Sequence, residues 1–161
     1  MSDLALSDEI EANASKGKKL FDRLGGRPTL ETVHKSFYDK IYAHPWLGQL
    51  FAHVSQPLIE AQQSDFMSYL MGGPKIYSGR MPIDAHIHIL ITEEMFSVRH
   101  ELLRESLADT HVSEQECKEW LAIDLAFKKV LIKKSREECE ARFKGDTIVD
   151  IPNPDRLRKI S

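Results

Sequence analysis

Residues 28–43, PTLETVHKSFYDKIYA, put Leu30, Val33, Phe37 and Ile41 at spacings of three, four and four. That is the period of one helix face, with Tyr38 on its edge. Pro28 suits a first helical turn and Gly25-Gly26 a helix end, so a short helix starting near Leu20 closes just before this second one opens. Toward the N-terminus, residues 1–18 are polar and weakly patterned. Toward the C-terminus, Pro45 to Phe51 reads as a turn. Pro57 then opens a helix with Ile59, Phe66, Met67 and Leu70 inward, and Gly72-Gly73-Pro74 ends it. An irregular stretch, Lys75 to Met81, leads into a short helix from Pro82. Thr92, backed by Glu93 and Glu94, marks the next start. Ser113 and Glu116 have capping-box spacing and open a last long helix that carries Cys117, Trp120, Leu121, Phe127, Val130 and Leu131. Its pattern extends to Phe143, before Gly145, and residues 146–161 read as a tail. No run alternates apolar and polar residues between hairpin turns, so the fold class expected is all-α.

With 161 residues, 42% hydrophobic and 29% charged, the chain has room for one folded domain with a single core. The formal charge of −3 argues against an electrostatic grip on phosphate backbones or anionic lipid, so neither nucleic acid nor membrane is an expected partner. The longest hydrophobic run, Trp120 to Ile123, is far below the roughly 20 residues of a membrane span. The first residues lack the apolar stretch of a signal peptide, and Cys117 and Cys139 have neither the count nor the spacing of a disulfide framework. A cytoplasmic protein with reduced thiols is expected.

Three polar side chains sit where apolar ones belong. Residues two apart diverge on a helix, so only one of His86 and His88 can join the stripe of Ile83, Ile87 and Leu90. His86 completes it, and His88 is expected outward and solvated. A lone histidine on an apolar face is more often a hydrogen-bonded core residue than a ligand. Tyr38 edges the second helix's stripe, and Gln63 falls inside the face that contains Ile59 and Phe66; both need partners if buried. Converging from three apolar helices, an imidazole, a phenol and an amide describe a cavity for a small polar ligand.

These residues lie in an order that resembles the truncated haemoglobins, the two-over-two globins, and most closely their group I. The resemblance covers about Leu20 to Lys134. It rests on Leu24-Gly25-Gly26, Phe37-Tyr38, Leu50-Phe51, Phe66 seven residues after Ile59, and Gly72-Gly73-Pro74. Tyr77-Ser78-Gly79-Arg80, Asp84-Ala85-His86 and Ile91-Thr92-Glu93 complete it. It implies a two-over-two helical sandwich around a haem over residues 19–135, with an N-terminal extension, 1–18, and a C-terminal extension, 136–161, made of the end of the last helix plus a tail. By the same resemblance His86 is the proximal iron ligand and Tyr38 the main distal donor. Phe37, Phe51 and Phe66 pack against the haem, Ile59 replaces the distal histidine, and Gln63 faces the bound ligand. Tyr77 resembles the contact to a haem propionate.

Neither cysteine lies in a CxxCH motif, so haem b held without thioether bonds is expected. Its ligands would be O₂, NO and CO. Roles implied are O₂ binding and transport, or NO dioxygenation (NO detoxification) with an external electron-donating reductase. The alternative is a non-enzymatic O₂ or NO sensor or store acting through a protein partner. Two residues depart from the group I pattern: Leu90 stands where glycine is usual, and Arg99 where apolar residues line the ligand route.

Overall fold

Leu30, Val33, Phe37 and Ile41 are all buried on one side of a 17-residue helix, and the rest of the molecule is arranged around that face. A computed structural model describes residues 19–156. Its elements are α1 (Leu20–Arg23), α2 (Arg27–Ala43), a 3₁₀ turn (Leu47–Phe51), α3 (Gln56–Leu70), α4 (Pro82–His86), α5 (Glu93–Ala108), α6 (Glu114–Ala126), α7 (Lys128–Leu131) and a second 3₁₀ turn (Arg136–Glu138). Helix α2 packs on both α3 and α5, α5 packs on α6, and α4 packs on α7. Two helix pairs, α2 with α3 and α5 with α6, thus enclose one core. Among the described residues there is no named strand, only one isolated parallel bridge between Ile89 and Val149.

The boundaries follow local chemistry. Gly72, at φ 89°, takes the left-handed conformation that ends α3, and Gly73 N–H closes the turn on the Ser68 carbonyl at 2.8 Å, as in a Schellman motif. Thr92 Oγ1 accepts the Met95 N–H at 3.2 Å and caps α5. Ser113 accepts from Glu116 N–H at the start of α6.

Four expectations are corrected. The last helix does not reach Phe143. It breaks at Phe127, whose N–H turns back to the Asp124 carbonyl at 3.2 Å and whose ring packs 5.8 Å from Phe66. After α7 the chain is extended at Ile132 (ψ 146°), and Phe143 is exposed. The C-terminal extension therefore holds no end of the last helix. Nor is the stretch from residue 146 merely a tail, because as far as residue 156 it packs back on the domain: Trp46 Nε1 donates to the Ile151 carbonyl at 2.7 Å and Asn153 Nδ2 to Glu94 at 2.8 Å. Ile83 is exposed, because α4 stops at His86 and no continuous stripe runs to Leu90. His88 is buried rather than solvated: it lies in the turn after α4, its carbonyl accepts from the Val149 N–H at 2.8 Å, and its Nδ1 has no partner. The expectation for residues 1–18, like the last five of the chain, lies outside the described residues.

His34 was not singled out by the sequence, yet it is fully buried. Its Nδ1 lies 2.8 Å from Ser64 Oγ, and its ring meets Trp120 edge-on at 5.6 Å. Burial first, then the charges of Arg99 and Arg27, push its pKa down to about 3. The unfolded chain, with an ordinary histidine near 6.5, then binds one more proton than the folded chain between pH 6.5 and 3. Stability is accordingly present above pH 6.5 and is lost as pH falls through that window, at up to about 1.4 kcal/mol per pH unit. Thermal unfolding from pH 7 to 4 should show this slope. It should flatten in His34→Gln, whose amide can still meet Ser64.

Candidate functional site

Aromatic side chains from α2, α3 and nearby turns make an aromatic wall of two ring clusters. Tyr38 lies 4.9 Å from Phe37 and 5.9 Å from Phe51, both edge-on. Across the core Phe66 lies 5.0 Å from Tyr77 and 5.8 Å from Phe127. Phe37, Tyr38 and Phe66 are buried, while Phe51, Ile59 and Tyr77 are partly buried against the same cluster. Gln63 comes off α3 four residues after Ile59 and three before Phe66, which puts all three on one helix face.

Tyr38 belongs to the core rather than to its edge. Burial raises its phenol to about 12, so it stays a proton donor at any physiological pH. Tyr77 uses its hydroxyl locally, donating to the Arg80 carbonyl. That bond fixes the ring against Phe66 and holds the irregular stretch between α3 and α4.

His86 ends α4, a five-residue helix entered through Pro82. Its Nδ1 lies 2.7 Å from the Pro82 carbonyl, four residues back. A carbonyl can only accept, so the proton sits on Nδ1 and the Nε2 lone pair is left free. Burial, which outweighs the opposing effect of the Pro82 bond, lowers the His86 pKa; Arg99 and Lys133 add to the lowering. A neutral imidazole with Nε2 available and Nδ1 tied to a backbone acceptor is the form a metal ligand requires. Among the described residues no cluster of three His, Cys, Asp or Glu side chains could hold an ion by itself. A prosthetic group that brings its own equatorial ligands and a flat apolar surface fits this donor set, one imidazole beside an aromatic wall.

Arg99, which departs from the expected apolar lining, has a partner that the sequence did not single out, and the pair crosses the other helix pair. Arg99 of α5 donates to Asp124 of α6, and His100 Nδ1 donates to the other carboxylate oxygen at 2.7 Å. The Arg99 guanidinium lies over the Phe37 ring, 5.2 Å from its centroid. Burial raises the Asp124 carboxyl, but Arg99 and His100 outweigh it and hold it below the usual carboxylate range. The field of Arg99 reaches both Tyr38 and His86. The residue that departs from the expected apolar lining is thus a paired cation beside the aromatic wall. One faint signal was present: Asp124 falls four residues after Trp120, where an apolar residue would continue the face.

A family model, described as bacterial-like globin, matches residues 19–131. A group 1 truncated hemoglobin of Tetrahymena thermophila is 29% identical over 100 residues, covering 62% of this chain and 83% of the relative. The solved truncated hemoglobin of Tetrahymena pyriformis superposes with a TM-score of 0.65 at 24% identity, covering 73% of this chain and all of that one. The 2/2 hemoglobin of Synechococcus sp. PCC 7002, solved with covalently attached heme, superposes at 0.64 and 24% identity, over 71% and 95%.

Proposed function

Because the chain belongs to the bacterial-like globin family, in its truncated two-over-two form and most like group 1, we propose that His86 Nε2 would bind the iron of a haem held among these aromatic side chains. The observation that carries this reading is the His86 ring itself, protonated and anchored on Nδ1 and free on Nε2. When bound, the haem would supply an iron that takes a diatomic gas such as O₂. The group is of the b type, held without covalent bonds; the absence of any CxxCH sequence supports this.

The remaining chemistry belongs to the protein. Phe37, Phe51, Ile59 and Phe66 keep water from the site and lower its dielectric, which strengthens every polar contact made there. Tyr38 donates its hydroxyl proton as a hydrogen bond to a ligand that acquires negative charge. Gln63 orients Tyr38 or donates as well. Tyr77 borders the site on the side of the irregular stretch, where a propionate would lie. A donor that meets developing charge favours O₂ over CO, because bound CO stays nearly neutral. Tyr38→Phe should therefore speed O₂ dissociation by about 10- to 100-fold, the equivalent of one charge-assisted hydrogen bond, while changing CO dissociation far less. Stopped-flow ligand replacement measures both.

The activity we assign to this site is NO dioxygenation, in which NO, O₂ and one electron give nitrate, the electron coming from an external reductase. The pairing of Tyr38 with Gln63 on an apolar background supports it. Nitrate formed in proportion to NO added to the oxygenated protein is the expected result; slow or absent nitrate would leave O₂ binding or storage as the role.

A further inference from the structure

Six consecutive residues that begin at His86 have their backbone held by the chain after α7. Lys133 Nζ donates to the carbonyls of His86 at 3.1 Å and Ile89 at 2.8 Å, and also to Leu131 at 3.3 Å. Lys133 N–H reaches the Ile91 carbonyl at 2.8 Å, and Glu140 N–H the Ile87 carbonyl at 2.9 Å. Val149 donates to the His88 carbonyl and accepts from Leu90 N–H, both at 2.8 Å, forming the isolated bridge beside Ile89. The far end of the segment is fastened by Trp46 on Ile151 and by Glu94, which takes Asn153 and Arg156.

This arrangement has a specific mechanical result. Helix α4 is one turn long, and its Pro82 carbonyl already fixes the rotation of the His86 ring. A single turn is marginal alone, and its last carbonyls have no helical partners. The Lys133 ammonium supplies donors to that frayed end, and the Val149 bridge holds the residues that follow.

We propose that Lys133 is a positioning residue for His86: with residues 132–149 it clamps the 86–91 backbone and so sets the angle and distance at which Nε2 is presented to the iron. The inference rests on His86 as axial ligand and concerns how that ligand is held. Residues 132–149 lie beyond the 19–131 stretch that the globin family model covers.

The test uses the full-length haem-loaded protein, reduced, with the iron–histidine stretching band read by resonance Raman. Lys133→Met removes the ammonium and keeps the stem, Val149→Pro removes the N–H that meets His88, and Lys133→Arg keeps the charge. In Lys133→Met and Val149→Pro the band should broaden and shift, and haem loss to an acceptor globin should quicken by about tenfold, the usual effect of losing an outer-shell partner. Lys133→Arg should stay near wild type, and the CO stretching band, which reports the Tyr38 side, should not move. In the apo chain the same two variants should speed amide exchange at Leu90. If the band and the haem-loss rate stay at wild-type values while only the melting temperature falls, the segment is an anchor for stability and the proposal is overturned. If the wild type shows no iron–histidine band, the reading of His86 as ligand fails, which this experiment separates from failure of the clamp.

Discussion

His86→Gly should lose haem more than about 100-fold faster than wild type, beyond the 10- to 100-fold typical of losing only an outer-shell partner. The expectation comes from the geometry of one ring. Nδ1 is committed to the Pro82 carbonyl, so Nε2 is the only nitrogen free to bind a metal, and among the described residues no acid or thiol cluster could substitute. Glycine also leaves a space of imidazole size at the end of α4. Added imidazole should therefore restore the histidine-type spectrum without restoring the covalent tether, and haem retention should recover in proportion to imidazole concentration. A core histidine would behave differently. Its loss would lower the melting temperature and leave the spectrum of any bound haem unchanged. His88→Gly is the matched control: His88 is buried with Nδ1 unpartnered, and its replacement should leave the iron spectrum unaltered.

The second large effect is expected at Asp124. Its side chain is 10% exposed and is the partner of both Arg99 and His100. Asp124→Ala would leave the half-buried Arg99 guanidinium without its counter-charge, at a cost of about 3 kcal/mol. For a domain of this size that lowers the melting temperature by about 10 °C. The double change Arg99→Met with Asp124→Leu should recover most of the loss, because two apolar groups replace a charge pair whose desolvation cost offsets much of its attraction. If Asp124→Ala were as stable as the wild type, the pair would be surface-like, and the field of Arg99 on Tyr38 and His86 would have to be discounted. The double variant also has a functional readout. Without the cation beside Phe37, the difference in O₂ dissociation between Tyr38 and its Phe variant isolates the contribution of the phenol.

What the sequence made legible was whatever side-chain periodicity and helix-end chemistry encode. The Leu30, Val33, Phe37 and Ile41 stripe, the stop at Gly72, and the starts at Thr92 and Ser113 all stand where the residues placed them. Tyr38 was legible for a related reason: a tyrosine bordering an apolar face is a polar group whose burial demands an explanation. The C-terminal segment left no comparable trace. It is held largely by backbone groups meeting backbone groups, such as Val149 with His88 and Leu90, and any side chains would permit those bonds. The charged residues after Leu131 continue a helix-like pattern, and only the contest for the carbonyls of 86–91 turns the chain away. His88 was misplaced because a two-residue offset on a helix was assumed, whereas the helix ends at His86 and the next residues bend under the returning chain. The Arg99–Asp124 pair joins residues 25 apart in sequence on two helices, a separation at which charge spacing carries no signal.

The most direct test of the central claim is the absorption spectrum of the haem-reconstituted wild-type chain, ferric, reduced, and reduced under O₂ and CO. A five-coordinate histidine-bound reduced form that takes up both gases, with O₂ released slowly, is the result the site predicts. A chain that takes up no haem, or binds it in a form unaltered by His86→Gly, would contradict it and return His86 to the ordinary role of a hydrogen-bonded core residue.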